Sequence, residues 1–314
     1  MFDNRPYKIV HYSEGAKMRS TAAQTRSKQE TASRDEIGEP SELAAVSARP
    51  SITGNDVGAF SGDPNFMASL ARGLVVIRAF AQHPARQTIA QISQRTGIPR
   101  AAVRRCLYTL NRLGYVATDA RYFSLAPQIL ALGHAYLSST PLVVSALPFL
   151  DKVNANVNES CSLAILDDLE ILYVARSTKT TRIMAIDLKP GSRLPAYCSS
   201  MGRVLLADLP TPQLKDALAK IKLKPLTEHT VTSKEKLAET LETVRDGGYA
   251  IIDQELEIGL RSIAVPVKDG KGRVVAAMNV GAQAVHLSVR EMETEVLPHL
   301  RAAAQELGTL LYPN

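Results

Sequence analysis

"TIAQISQRTGIPRAAVRRCLYTLNRLGY", residues 88–115, decides how the rest of this 314-residue chain is read. Thr88 stands where a helix N-cap belongs, ahead of Ile89 and Ile92. Gly97 then stops that helix, and Pro99 opens the next one at a favoured first-turn position. In the second helix Val103, Leu107 and Leu110 recur at helical spacing and form the buried stripe. At 100° per residue, Ala101, Arg105, Tyr108 and Arg112 lie opposite that stripe, with Arg104 on the flank and Arg100 in the first turn. The helix is therefore fixed by its apolar side and presents arginines outward.

Working outward, Leu70, Leu74, Ile77 and Phe80 give the apolar stripe of a preceding helix that begins near Phe66. Gly114 breaks the arginine helix, and "YVATDARYFSL", residues 115–125, reads as two short strands around an Asp-Ala turn with Arg121 near the tip. Two helices, a tight glycine turn, a cationic helix and a β-hairpin are the order of a winged helix-turn-helix.

The net charge of +6 is concentrated in this region. Residues 1–65 carry a net −1, residues 66–127 a net +8 and residues 128–314 a net −1. All nine basic residues of the middle block are arginines, and Asp119 is its only acid. A solvated face mixes signs, so a one-signed block points to a polyanion. We expect Arg100 and Arg104 to read base edges, Arg105 to read bases or hold phosphate, and Arg121 to touch phosphate or the minor groove, with Ala101, Ala102, Tyr108 and Arg112 completing the contact surface.

Residues 1–65 are rich in small polar residues without a sustained apolar period, and are expected to form a disordered extension apart from a short helix near 41–47. No apolar run reaches the ~18 residues of a membrane span, and the opening lacks the apolar core of a signal peptide, so a cytoplasmic protein is expected. Cys106, Cys161 and Cys198 are too widely spaced to suggest a zinc site or a disulfide framework. No cofactor or metal motif is present in the sequence.

Beyond Pro127 a linker helix, 128–141, carries Ile129, Leu132, Gly133 and Tyr136 on one side and can pack on its twin in a dimer. A larger unit, 142–314, begins with a helix over 142–158 and continues with strands "CSLAILD", "EILYVARS" and "RIMAIDL". Helices near 199–208, 212–220 and 233–246 follow, then strands "GYAIID", "RSIAVPV" and "RVVAAMNVGA", and a terminal helix over 288–310. This is an α+β unit with a mainly antiparallel sheet.

Within it, "GSRLPAYCSSMGRVLLADL", residues 191–209, places Ser199 and Ser200 at a helix start leading into Met201. Free N–H groups and hydroxyls at such a start suit an anion such as a carboxylate. A catalytic reading would need Cys198 activated by the helix and paired with His229, a pairing that no sequence spacing supports. Asp253, Glu255 and Glu257 alternate as one exposed face of a strand end would.

"SLARGLVVIRAF", "TIAQISQRTGIPRAAVRRCLYTLNRLGYV", "GSRLPAYCSSMGRVLLA" and "GGYAIIDQELEIGLRSIAVPV" together resemble the IclR family of bacterial transcription regulators, in particular its branch governing aromatic catabolism through the protocatechuate and β-ketoadipate route. The resemblance covers about residues 66–312. It implies a winged helix, a linker helix and an effector domain of GAF/PAS-like fold, assembled as a dimer or a dimer of dimers on an operator in double-stranded DNA. It also implies as effector a small organic acid, here an aromatic or dicarboxylic one, and no enzymatic activity.

By position, the implied effector residues are Ser200 and Met201 at the helix start, Ile252 and Asp253, and Ser262, Asn279 and Gly281, to which the reading of the helix start adds Ser199. Two departures stand out. Ser200-Met201 and Ser262 replace the Gly-Ala and cysteine of some relatives, which argues against a glyoxylate or pyruvate pocket. Ala101-Ala102 removes the hydroxyls usual early in the recognition helix, leaving more of the recognition to arginine. The rival readings are an enzyme with an accessory winged helix and an architectural DNA-binding protein that senses nothing.

Overall fold

A computed structural model of the chain describes residues 56–60, 62–80, 86–178 and 188–311, all within one compact unit, Glu42–Asn314. The expectations for residues 1–55, including the helix near 41–47, lie outside the described residues, as does all of "RIMAIDL" except Leu188.

Helices α1 (Ala68–Arg78), α2 (Ile89–Thr96) and α3 (Arg100–Arg112) are followed by the hairpin β1 (Val116–Asp119) and β2 (Tyr122–Leu125). The local signals act as their chemistry dictates. The Thr88 and Gln91 side chains cap each other's backbone N–H groups in a capping box, and Gly97 closes α2 at φ 70°. Pro99 is the N-cap of α3 rather than its first residue. Val103, Leu107 and Leu110 are buried, and they meet Val75, Val76, Phe80, Ile92 and Val116 in one core. Gln87 bridges to Phe123 through paired backbone hydrogen bonds, tying the wing to the start of α2.

Two expectations change here. Leu70 and Leu74 are 58% and 51% exposed, because α1 packs through Val75, Val76 and the small Ala71 instead. Ile77 and Phe80 of the expected stripe do pack in this core, so the buried face of α1 is rotated towards Ala71, Val75 and Val76 and leaves only Leu70 and Leu74 outside. The folded region also starts before residue 66, since Val57 in the 3-10 turn Asp56–Phe60 is buried in this core and Phe60 stacks on Phe66 at 4.5 Å.

Helix α4 (Leu130–Ser139) follows a 3-10 turn at Pro127–Ile129 and buries none of its residues. Helix α5 (Pro141–Val157) buries Ala146, Leu150 and Val153. Among the described residues no single helix is long and apolar enough to cross a membrane.

The remaining chain builds a six-stranded sheet from β3 (Ser160–Asp167), β4 (Glu170–Ser177), β5 (Arg193–Pro195), β6 (Ala250–Asp253), β7 (Leu260–Lys268) and β8 (Val274–Gln283). Its order is β5-β4-β3-β8-β7-β6, with every neighbouring pair antiparallel. Helix α5 and the terminal helix α10 (Leu297–Leu311) cover one face over Leu163, Ile263, Val265, Met278 and Val280. Helix α6 (Ser200–Asp208) and helix α8 (Lys234–Gly247) cover the other over Ala164, Tyr173, Ala264 and Ala277, with α7 (Thr211–Lys220) beside them. The expected terminal helix is interrupted by a π-helical turn at Met292–Val296, between a short first turn α9 (Val289–Glu291) and α10.

Candidate functional site

The outer face of α3 is a cationic strip. Arg100, Ala101, Arg104, Arg105, Tyr108 and Arg112 are all exposed, while Ala102 is half-buried against the core and belongs to the helix's packing. The Arg112 guanidinium lies 5.8 Å from the Tyr108 ring, and Arg121 lies 5.2 Å from the Tyr122 ring while donating to its hydroxyl at 3.2 Å. These stacks hold long side chains extended over the surface. Arg86 pairs with Asp119 at 3.1 Å, so the one acid of the block is occupied. Arg95 donates to Gln87 at 2.7 Å, which ties it to the base of the wing and leaves α3 and the wing tip as the presenting elements.

The second site is a cavity between the sheet and the start of α6; the space between atoms in and around it, counting open solvent at its mouth, is about 480 Å³. Its lining includes Ser199, Ser200, Met201, Ile252, Ser262, Asn279 and Gly281, so seven of the eight positions expected from sequence come together. Asp253 is the exception. It follows Ile252 on β6 and so points to the opposite face of the sheet, where Arg261 donates to it at 2.9 Å. Much of the remaining wall is apolar and comes from Tyr173, Leu188, Leu194, Leu256 and Leu260.

The start of α6 is built by local chemistry. Ser199 caps it by accepting from the Gly202 N–H at 3.2 Å, and the Ser199 carbonyl accepts from Arg203 N–H at 2.9 Å. Ser200 and Met201 are left with first-turn N–H groups at the cavity wall. The Ser262 hydroxyl donates to the Ser200 hydroxyl at 2.9 Å, joining helix and sheet across the cavity. Gly202 packs directly on the Ala196 carbonyl, where a Cβ would collide.

A buried ion pair fixes the helix from behind. Arg203 is 3% exposed, donates through Nε to the Tyr197 carbonyl at 3.0 Å and through Nη2 to Glu255 at 2.6 Å. Glu255 also accepts the Val231 N–H at 3.1 Å. The expected exposed alternation of Asp253, Glu255 and Glu257 fails because β6 ends at Asp253 and Gln254 turns through φ 59°, which drives Glu255 inward.

Sequence reasoning missed Arg176, which is the only charged side chain lining the cavity among the described residues. Strict alternation along "EILYVARS" puts Arg176 on the face opposite Tyr173. The pairing instead steps from Tyr173 opposite Ala164 to Ala175 opposite Leu163, so Val174 is an extra residue in a β-bulge. That one residue turns Arg176 to the Tyr173 side, where it lines the cavity and donates to Ser162 at 3.0 Å. Nothing in the periodicity marks a bulge at that position.

The catalytic reading loses its nucleophile. Burial pushes the Cys198 thiol up to about 11, so at neutral pH it is protonated, and it lies in the cavity wall as a packing group. His229 sits on an exposed loop beside Glu228. Among the described residues no three His, Cys, Asp or Glu side chains gather in a way that could hold a metal ion.

Comparison with known proteins now decides the family. Residues 69–120 match the IclR helix-turn-helix domain, and residues 134–309 match the C-terminal domain of bacterial transcriptional regulator IclR. The chain belongs to the IclR family. This IclR-family chain is 48% identical over 277 residues to the Pca regulon regulatory protein of Pseudomonas putida, covering 87% of this chain and 95% of that one. It is 38% identical over 251 residues to the p-hydroxybenzoate hydroxylase transcriptional activator of Acinetobacter baylyi, covering 79% and 93%. Among solved structures it resembles an IclR homologue from Microbacterium hydrocarbonoxydans complexed with 4-hydroxybenzoate, with TM-score 0.66, 27% identity and coverage of 77% and 98%. An IclR-family chain of this architecture is a DNA-binding transcriptional regulator, not an enzyme.

Proposed function

We propose that this IclR regulator controls genes for the breakdown of aromatic acids and that a small aromatic carboxylate, held in the cavity at the start of α6, sets its affinity for operator DNA. The observation that carries the reading is the cavity itself. It is an apolar enclosure with one cationic wall residue, Arg176, and two first-turn N–H groups at Ser200 and Met201. An apolar body with a single anionic end suits both features, since a half-buried arginine and a helix start each favour a negative group. The names of the Pseudomonas and Acinetobacter relatives and the 4-hydroxybenzoate complex of the Microbacterium homologue support the aromatic class.

On the DNA side, residues 66–127 with the preceding turn read the operator. Arg100 and Arg104 meet base edges in the major groove, and Arg105, Arg112 and Arg121 hold phosphate. Residues 128–141 link this part to the effector domain, 142–314. The exposed Leu130, Leu132 and Tyr136 of α4 pack on a second copy, giving a dimer that reads a two-fold operator in the cytoplasm. Effector binding biases one relative placement of the two copies over another, with a coupling of ~1–3 kcal/mol typical of such switches.

Thermal unfolding of the purified chain with protocatechuate, 4-hydroxybenzoate, benzoate, β-ketoadipate, glyoxylate and pyruvate tests the reading. A ligand at 100 times its dissociation constant stabilises by ~2.7 kcal/mol and shifts the midpoint visibly. A shift with an aromatic acid supports the proposal; shifts confined to glyoxylate or pyruvate, or none at all, refute the effector class. Equal affinity for operator and random DNA at matched salt refutes the specific reader in favour of an architectural protein.

A further inference from the structure

Gln87 stands just ahead of the Thr88 cap and is 1% exposed, a fully buried polar residue in the winged helix. Every polar group it carries is bonded. Its backbone N–H and carbonyl pair with Phe123 of β2 at 2.9 and 2.8 Å. Its Nε2 donates to the Ala79 carbonyl at 2.9 Å, and its Oε1 accepts from Arg95 Nη1 at 2.7 Å. Ala79 is the C-cap of α1, so its carbonyl is one of those a helix end leaves without an intrahelical partner, and Arg95 lies in the last turn of α2. One residue therefore joins the end of α1, the end of α2 and the returning strand of the wing. A leucine or methionine would fill the same buried place with no amide to satisfy, and a buried amide is costly wherever a bond is missed. Packing gives no reason for glutamine here, whereas a fully bonded buried network fixes orientation.

The remaining ties of the wing leave that orientation open. Its first strand is held to α3 by a short connection, with Asn111 Nδ2 donating to the Val116 carbonyl at 2.8 Å and the Tyr115 N–H to the Leu110 carbonyl at 2.9 Å. Arg86 and Asp119 pair across the outside with side chains 66% and 70% exposed, an arrangement worth little in water. The Phe123 side chain packs against the core, but apolar contact is non-directional. Arg121 lies at the tip between β1 and β2, exposed. With β1 pinned at its base, the strand returning from Arg121 sets the tilt of the hairpin, and Gln87 is its hydrogen-bonded anchor.

We propose that Gln87 is a positioning residue for DNA recognition: through its side-chain bonds to Ala79 and Arg95 it fixes the angle at which the wing carries Arg121 to the DNA backbone beside the groove read by α3. Arg95 serves recognition from behind, by holding Gln87, and does not itself touch DNA. The inference rests on the reading of Arg121 as a phosphate contact. A wing released from this joint must be ordered each time it binds, so the contact weakens although the hairpin and its arginine are still present.

The test is a set of double-mutant cycles on operator binding over a range of salt, with thermal unfolding of each full-length variant alongside. Arg121→Ala in the wild type should weaken binding and lower the salt slope by about one, as the loss of one phosphate contact does. Gln87→Met keeps the buried volume and the backbone pairing with Phe123; it should produce the same two changes, and adding Arg121→Ala to it should alter binding by less than about twofold. Arg95→Ala should act as a weaker Gln87→Met and add nothing in its presence, while Arg95→Lys, which still offers Gln87 a donor, should bind as the wild type does.

An Arg121→Ala loss as large in Gln87→Met as in the wild type would overturn the inference and leave the wing's contact with DNA standing, whatever the melting temperatures. So would an Arg95→Ala loss that persists in Gln87→Met, which would make Arg95 a DNA contact in its own right. Should Gln87→Met not fold, the cycle between the exposed Arg95 and Arg121 decides: losses that fail to add support the joint, and additive losses overturn it. If Arg121→Ala binds operator as well as the wild type, the reading of Arg121 as a DNA contact falls, and this inference with it.

Discussion

Removing the Glu255 carboxylate by Glu255→Ala should be among the most destabilising single changes in the effector domain. In the native chain Arg203 is 3% exposed and its charge is answered by Glu255 at 2.6 Å, with one further bond to the Tyr197 carbonyl. Taking the partner away strands a buried guanidinium and leaves the Val231 N–H unpaired as well. Breaking a buried pair from one side costs ~3–5 kcal/mol. For a domain of this size each kcal/mol moves the midpoint ~2–4 °C, so the expected fall is ~6–20 °C.

Replacing both partners, as in Arg203→Met with Glu255→Leu, removes the stranded charge and should cost less than Glu255→Ala alone, a non-additivity that a double-mutant cycle reads directly. The assay is urea or thermal denaturation of the full chain followed by far-ultraviolet circular dichroism. A loss below ~1 kcal/mol for Glu255→Ala, or additive single and double costs, would refute the argument that the pair is buried and mutually dependent. Because Arg203 lies on α6 and Leu256 follows Glu255 into the cavity wall, the same variant should also bind any effector more weakly.

Three further outcomes follow from the same structure. Arg104→Ala should lower operator affinity by ~1–3 kcal/mol and erode the preference for operator over random DNA; a uniform loss on all DNA with a shallower salt slope would make Arg104 a phosphate contact instead. Replacing Leu130, Leu132 and Tyr136 of α4 together by serine should shift the chain towards monomer in analytical ultracentrifugation with no loss of melting temperature in the monomer, whereas a variant that stays assembled would remove α4 from the interface. The Cys198 thiol, pushed from 9.0 to about 11 by burial, is held protonated in the fold but ionises in the unfolded chain above pH 9. Its contribution to stability is complete below about pH 9 and should be lost as pH rises from there towards 11, and at pH 8 alkylating reagents should label half-buried Cys106 before Cys198 or Cys161, as peptide mass spectrometry would show.

The winged helix was legible because its signals are local. Thr88, Gly97, Pro99 and Gly114 act within a turn of their own position, and the Val103, Leu107 and Leu110 stripe leaves the α3 arginines only the outer side. The one-signed charge of residues 66–127 and the serine-capped start of α6 were equally written in composition and order. Tertiary contact decided what local chemistry leaves degenerate. Packing on α3 rotated the buried face of α1 so that Val75 and Val76 join Ile77 and Phe80 in the core while Leu70 and Leu74 stay outside.

Parity along strands was decided in the same way. A bulge at Val174 put Arg176 into the cavity, strict alternation on β6 kept Asp253 out of it, and the left-handed turn at Gln254 buried Glu255. Side chains on a strand alternate with a period of two, so one inserted or turned residue exchanges the faces of everything beyond it. Such an insertion is set by the register of the neighbouring strand, which lies far away in sequence and leaves no mark on the residues it redirects.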